Sequence, residues 1–167
     1  EVEFFTDARG EENLSRLISS TLLDNIFINN IIPKRKRVYK FKIFKLFNDV
    51  NFNINWINKY VKGIVNNYDA VVVLGGDDLS EYYSKLKVVF ETYKLNKISE
   101  RIPVFLASQT IGPFTKWRKK VVGNFLRECF IFARDLWTLN YLKNELNLTK
   151  VYEAADLAFL DLPNHSL

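Results

Sequence analysis

A chain of 167 residues with 48% hydrophobic and 15% aromatic side chains, but only 6 Gly and 4 Pro, has the profile of a packed domain and excludes a disordered or low-complexity protein. At this length a single folded domain buries roughly 70% of its unfolded surface. The net charge of +5 suits anionic partners, such as nucleic acid, phosphorylated metabolites, nucleotide sugars or an acidic membrane surface, without choosing among them.

Val2–Phe5 is a short apolar run ending on Thr6-Asp7-Ala8-Arg9-Gly10, and Leu14, Leu17, Ile18, Leu22 and Ile26 then recur at helical spacing, so strand, glycine turn and helix are expected in that order. After a basic loop at Lys34–Arg37, the segment RVYKFKIFKLF sets Lys40, Lys42 and Lys45 against Tyr39, Phe41, Ile43, Phe44 and Leu46, which predicts a strand with one face in water. Phe52, Ile54, Trp56, Ile57, Tyr60, Val61, Ile64 and Val65 fit an amphipathic helix over 52–67. Asp69–Leu74 then reads as a central strand, apolar on both faces as in a parallel sheet.

Beyond it the pattern predicts a helix over 79–95, a buried strand over 102–107, a helix over 115–129, a strand over 130–133, a helix over 137–146 and a last strand over 150–153. This alternation predicts an α/β fold: a doubly wound, mostly parallel, Rossmann-like sheet with helices on both faces. In such folds ligands bind outside the carboxyl ends of the strands, so function is sought in the turns Asp7–Asn13, Gly75–Glu81, Ser108–Phe114 and Arg134–Thr138.

Each turn has a structural and a functional reading. In VVVLGGDDLSEYY, Gly75 and Gly76 permit a sharp turn and close approach, while Asp77 or Asp78 either caps the following helix or faces sugar hydroxyls, a metal or a mobile proton. Two carboxylates at a helix start work against simple phosphate binding, and the spacing matches neither a dinucleotide fingerprint nor a P-loop. LASQTIGPFTKWRKK is either a turn before a solvated basic face or a crevice wall built by Gln109, Thr110 and the amides around Ile111 and Gly112. Arg134 ends the fifth strand, where it either pairs with a neighbouring carboxylate or holds an anion bidentately, and Asp135 stands at or beside a helix cap.

One His and one Cys exclude a zinc site or a Ser-His triad within the chain, so no metal site and no cofactor is read from it. Cys129 lies in the apolar run FLRECFIF and reads as a core thiol in a reducing compartment, and His165 belongs to the terminal LPNHSL. No zinc, recognition-helix or RNA-recognition signature accompanies the positive charge, so nucleic acid is not expected as a partner. No run approaches the roughly 20 apolar residues of a membrane helix, and the first 30 residues lack a signal-peptide pattern, so a cytoplasmic protein is expected. The chain contains no Met, which is expected of a piece of something longer.

Taken in order, Leu74-Gly75-Gly76-Asp77-Asp78-Leu79, Ser108-Gln109-Thr110-Ile111-Gly112-Pro113, Ala133-Arg134-Asp135 with Thr138 and Leu142, and Ala155-Asp156-Leu157-Ala158-Phe159 resemble the ordered motifs of the polysaccharide pyruvyl transferase family. Gly10-Glu11-Glu12-Asn13-Leu14 resembles that family's opening Gly-Asp-Glu turn, and Asp77 stands where the family usually has a third glycine. The resemblance implies the N-terminal half of a two-domain protein similar to the GT-B type, with residues 1–160 forming the domain and 161–167 starting a linker to a second domain. It also implies transfer of a pyruvyl group from phosphoenolpyruvate to a sugar hydroxyl of a cell-surface polysaccharide or its precursor, with peripheral membrane association through a lipid-linked acceptor. By the same resemblance Asp78 and Arg134 are catalytic candidates, and Gly75, Gly76, Asp77, Gln109, Thr110, Ile111, Gly112 and Asp135 are substrate-binding candidates. A second domain would then supply any histidine acid or base, and the 167 residues alone would be inactive. A glycosyltransferase using a nucleotide sugar, or a non-catalytic carbohydrate- or anion-binding module of the same fold, stays open beside this reading.

Overall fold

A computed structural model describes residues 4–6, 26–28, 42–82 and 85–157, which fall into two compact units divided between Phe47 and Asn48. In the first unit, β1 (Phe4–Thr6) and β2 (Ile26–Ile28) pair in parallel. Residues 11–25 of the predicted helix, the Gly10–Leu14 motif, the basic loop Lys34–Arg37 and His165 lie outside the described residues, whereas Ile26, which the helical spacing includes, stands in β2 instead.

The second unit is built around a four-stranded parallel sheet of β3 (Val71–Val73), β4 (Val104–Gln109), β5 (Phe130–Ala133) and β6 (Val151–Glu153), in that spatial order. Helix α1 (Lys42–Asn67) leads into the sheet, α2 (Lys85–Ser99) joins β3 to β4, and α3 (Trp117–Leu126) joins β4 to β5. Between β5 and β6 runs α4 (Leu136–Asn140), which widens into one π-helical turn over Tyr141–Glu145. The fold is therefore α/β and Rossmann-like. Sequential strand order sends right-handed crossovers to one face of the sheet, and burial follows: Val104, Leu106, Ile131 and Val151 are enclosed with Val88, Leu95, Ile98, Val122, Leu126 and Leu142. Each such side chain contributes about 1.5–3 kcal/mol by leaving water. The opposite parity carries Phe105 stacked on Phe130 and Phe132 stacked on Tyr152, less deeply buried.

Two predicted elements are corrected. The basic and apolar alternation that predicts a strand over 37–47 is helical from Lys42 onward, continuous with the helix through Asn67. In sequence, Ile43, Phe47, Val50, Ile54, Ile57, Val61 and Ile64 form one stripe at spacings of three and four, of which Ile57, Val61 and Ile64 are buried in the core. A long 3.6-residue repeat outweighs a short accidental period of two. The helix predicted from Leu79 does not start there: residues 79–82 form bends and a turn, and α2 is helical from Lys85. Asp77 and Asp78 therefore cap no helix at Leu79.

Candidate functional site at the carboxyl edge of the sheet

The four motifs meet at the carboxyl ends of β3, β4 and β5. The junction begins with an irregularity in β4, where Leu106 pairs with Ile131 but Gln109 pairs with Ala133, so β4 carries one extra residue against β5. Ser108 takes up the excess with φ 56, and the side-chain alternation breaks, leaving Ser108 and Gln109 both buried. Gln109 turns toward β3, where its Nε2 donates to the Leu74 carbonyl at 2.9 Å. The next residue follows suit, as the Thr110 amide donates to the Gly76 carbonyl at 3.0 Å. Gly75 is confined by this contact, since a Cβ there would lie 2.4 Å from the Ser108 carbonyl oxygen.

The Ser108–Phe114 turn is fastened on its far side. Ile111 is fully buried, the Gly112 amide donates to the Leu79 carbonyl at 2.9 Å, and the Phe114 amide donates to the Tyr141 hydroxyl at 2.9 Å. Gly112 has φ 88 and lies against the Tyr141 ring, and Trp137 stacks on that ring at 5.4 Å. Ile111 and Gly112 thus act through packing and backbone, and the Gly112 amide is already engaged.

Thr110 links the second motif to the third. Its hydroxyl accepts from Arg134 Nε at 2.6 Å and donates to Asp135 Oδ2 at 3.1 Å. Asp135 is the N-cap of α4: Oδ1 accepts the Thr138 amide at 2.7 Å, and Oδ2 also accepts the Thr138 hydroxyl at 2.9 Å. Burial pushes the Asp135 carboxyl up, but the bonds from Thr138 and Thr110 and the charge of Arg134 outweigh it and hold the group below its ordinary value. Asp135 is a committed carboxylate that orients Thr110.

Arg134 also reaches the fourth motif, donating from Nη1 to Asp156 Oδ2 at 3.2 Å, with both side chains about one-third exposed (31% and 34%). The Leu157 amide next to it donates to the Ser108 hydroxyl at 3.0 Å, returning the chain to the β4 irregularity. Arg134 Nη2 makes no hydrogen bond among the described residues. The guanidinium is held by Nε and Nη1 and keeps donors on Nη2 at the carboxyl edge of the sheet.

Asp77 and Asp78 are exposed on the loop after β3, Asp78 lying 3.9 Å from Lys87 in an ion pair open to solvent. The same loop brings in two residues that the sequence reading passes over. Glu81 accepts Arg118 Nε at 2.7 Å and the Thr115 amide at 2.8 Å on Oε1, and the Thr115 hydroxyl at 2.8 Å and Arg118 Nη2 at 3.1 Å on Oε2. The Arg118 bonds, foremost, and those from Thr115 hold its carboxyl at about 2 despite burial. Arg118, expected on a solvated basic face, is buried instead. Ser80, beside Glu81, is also buried, and its hydroxyl has no hydrogen-bond partner among the described residues. The signal for the Glu81 clamp in the sequence was weak: an acidic residue after a glycine turn and an arginine 37 positions later. No group of three His, Cys, Asp or Glu side chains gathers to hold a metal among the described residues, and none of their helices is long and apolar enough to cross a membrane.

Residues 13–167 match the family described as Polysaccharide pyruvyl transferase. A curated relative, the amylovoran biosynthesis protein AmsJ of Erwinia amylovora, is 32% identical over 109 residues, covering 60% of this chain and 26% of the relative. The match thus spans about a quarter of that relative's length. No solved structure matches.

Proposed function

The chain belongs to the polysaccharide pyruvyl transferase family, and on that premise we propose that its carboxyl-edge crevice takes part in moving a pyruvyl group from phosphoenolpyruvate to a sugar of a polysaccharide or its precursor. The observation that carries this reading is Arg134, fixed through Thr110 and Asp156 with donors left on Nη2. A planar, permanently charged group anchored in this way is oriented to hold a carboxylate or phosphate.

The reaction needs little more than positioning and proton transfer. The methylene carbon of phosphoenolpyruvate takes a proton and becomes a methyl group. Two sugar hydroxyl oxygens bond in turn to the adjacent carbon, each releasing its proton, and the bond from that carbon to the phosphate oxygen breaks, leaving a ketal and inorganic phosphate. Arg134 holds the carboxylate or the departing phosphate, where a fixed charge acts without reorganisation. Asp77 and Asp78 bind acceptor hydroxyls, with Asp78 the candidate for taking a hydroxyl proton. Their loop is joined to Thr110 by the bond between its amide and the Gly76 carbonyl. In the two-domain architecture that the resemblance implies, a second half closes the crevice and supplies the remaining acid and base.

Calorimetric titration with phosphoenolpyruvate tests the reading. Arg134→Gln should weaken binding by the roughly 1.5–3 kcal/mol of a charge-assisted contact, while Thr110→Val, which releases Nε, should weaken it less. Unchanged affinity in Arg134→Gln would reduce this residue to a structural partner of Asp156. Binding of a uridine diphosphate sugar with no response to phosphoenolpyruvate would favour the glycosyltransferase reading.

A further inference from the structure

Arg134 is bracketed by Thr110 on the β4 side, at 2.6 Å from Nε, and by Asp156 on the β6 side, at 3.2 Å from Nη1. Asp156 is in turn tied down through a residue that touches neither the guanidinium nor the carboxylate. After β6 the Ala154 amide donates to the Ala133 carbonyl at 2.9 Å, and the Leu157 amide donates to the Ser108 hydroxyl at 3.0 Å. Because β5 lies between β4 and β6, this second bond carries the segment across the carboxyl end of β5, where Arg134 emerges.

Ser108 occupies its place at a cost. Its φ of 56 is a conformation that glycine adopts freely and that a side chain makes unfavourable. The surrounding backbone is also close, since a Cβ at Gly75 would stand 2.4 Å from the Ser108 carbonyl oxygen. Glycine at 108 would meet the backbone requirement without strain, so what serine adds is one hydroxyl, 2% exposed with the rest of the residue and engaged by the Leu157 amide. An extra residue in a strand often re-aims a side chain beside a site. Here the irregularity in β4 delivers that hydroxyl to the segment carrying Asp156, one residue from the amide it accepts.

We propose that Ser108 is a positioning residue: its hydroxyl holds the Asp156–Leu157 peptide across the end of β5 and thereby sets the angle at which Arg134 presents Nη2. Which anion Arg134 then receives rests on the pyruvyl-transfer reading, whereas the placement of Arg134 does not.

The test compares two substitutions. Ser108→Gly removes the hydroxyl and relieves the backbone, and Ser108→Ala removes the hydroxyl but keeps the unfavourable φ, so the glycine variant should melt at the higher temperature of the two. In both, two-dimensional amide NMR spectra should show Leu157 exchanging about tenfold faster or more, together with a displaced Arg134 Nε–H signal, which Arg134→Gln identifies by its loss. Calorimetry should show phosphoenolpyruvate bound about fivefold more weakly in both, with no further loss when Ser108→Gly is added to Asp156→Ala. A serine with a merely structural role would instead make affinity follow stability, leaving the glycine variant close to the wild type. The proposal is overturned if Leu157 exchange or the Arg134 signal is unchanged in Ser108→Gly, or if its loss of affinity adds in full to that of Asp156→Ala. Failure of the wild-type protein to bind phosphoenolpyruvate would sink the pyruvyl-transfer reading, and the two spectral signals would still decide the role of Ser108.

Discussion

Glu81→Gln should destabilise the protein in a way that depends on pH. The carboxylate accepts four hydrogen bonds from Thr115 and Arg118, and the two charged side chains are only 9% and 11% exposed. Its pKa is about 2 in the folded state against 4.5 ordinarily, and that gap corresponds to about 3 kcal/mol of stability. Because the folded-state value is depressed, the contribution is fully present above about pH 4.5 and disappears as pH falls toward 2. The amide keeps the shape but turns an acceptor into a donor facing the Thr115 and Arg118 donors, so at pH 7 the variant should lose about 3 kcal/mol, or about 10 °C in melting temperature for a chain of this size. Urea unfolding followed by circular dichroism at pH 7, 4 and 2.5 measures the gap between wild type and variant. It should be widest at pH 7 and shrink with acid. A gap of equal size at pH 7 and 2.5 would refute the electrostatic account and leave packing as the cause, and a gap below about 0.5 kcal/mol at pH 7 would mean that water screens the pair.

Two glycine substitutions should act in opposite directions. Gly112→Ala places a Cβ 2.6 Å from the Tyr141 ring at a φ of 88 and should lower stability by about 2 kcal/mol or more, whereas Gly63→Ala, on a helix with nothing within 4 Å, should raise it by about 0.5–1 kcal/mol; thermal melts of both variants settle the signs. Cys129 is 1% exposed, and burial pushes its thiol up to about 11, so iodoacetamide at pH 8 should label it only as the protein unfolds. Rapid labelling of the native protein would contradict that burial.

The order of elements from the second helix onward was legible in the residues because the signals are local. Phe130–Ala133 is a strand over the same residues that its apolar run predicts, and the strands near residues 70, 104 and 151 fall within two residues of their predicted positions. The stretch over 42–47 was misread because six residues suit a period of two as well as 3.6, and only the buried stripe farther along α1 distinguishes them. That the turns after β3, β4 and β5 meet at one edge of the sheet is also legible in the sequence, since parallel strands place all their carboxyl ends on one edge.

What each residue does within those turns was decided by tertiary structure. Gln109 and Ile111 sit in the same polar turn as Thr110, yet the Gln109 side chain is buried as a clamp on Leu74, Ile111 is core, and it is the Thr110 hydroxyl that meets the Arg134 guanidinium. The extra residue in β4 breaks the alternation that a linear pattern assumes, so no periodicity could assign these orientations. Glu81 found Arg118, and Arg134 found Asp156, across 37 and 22 residues of chain. Residue type records which groups can carry charge or turn sharply, but whether a charge ends as a structural clamp or keeps a donor for a ligand depends on which neighbours the folded sheet brings within three ångströms or so of it.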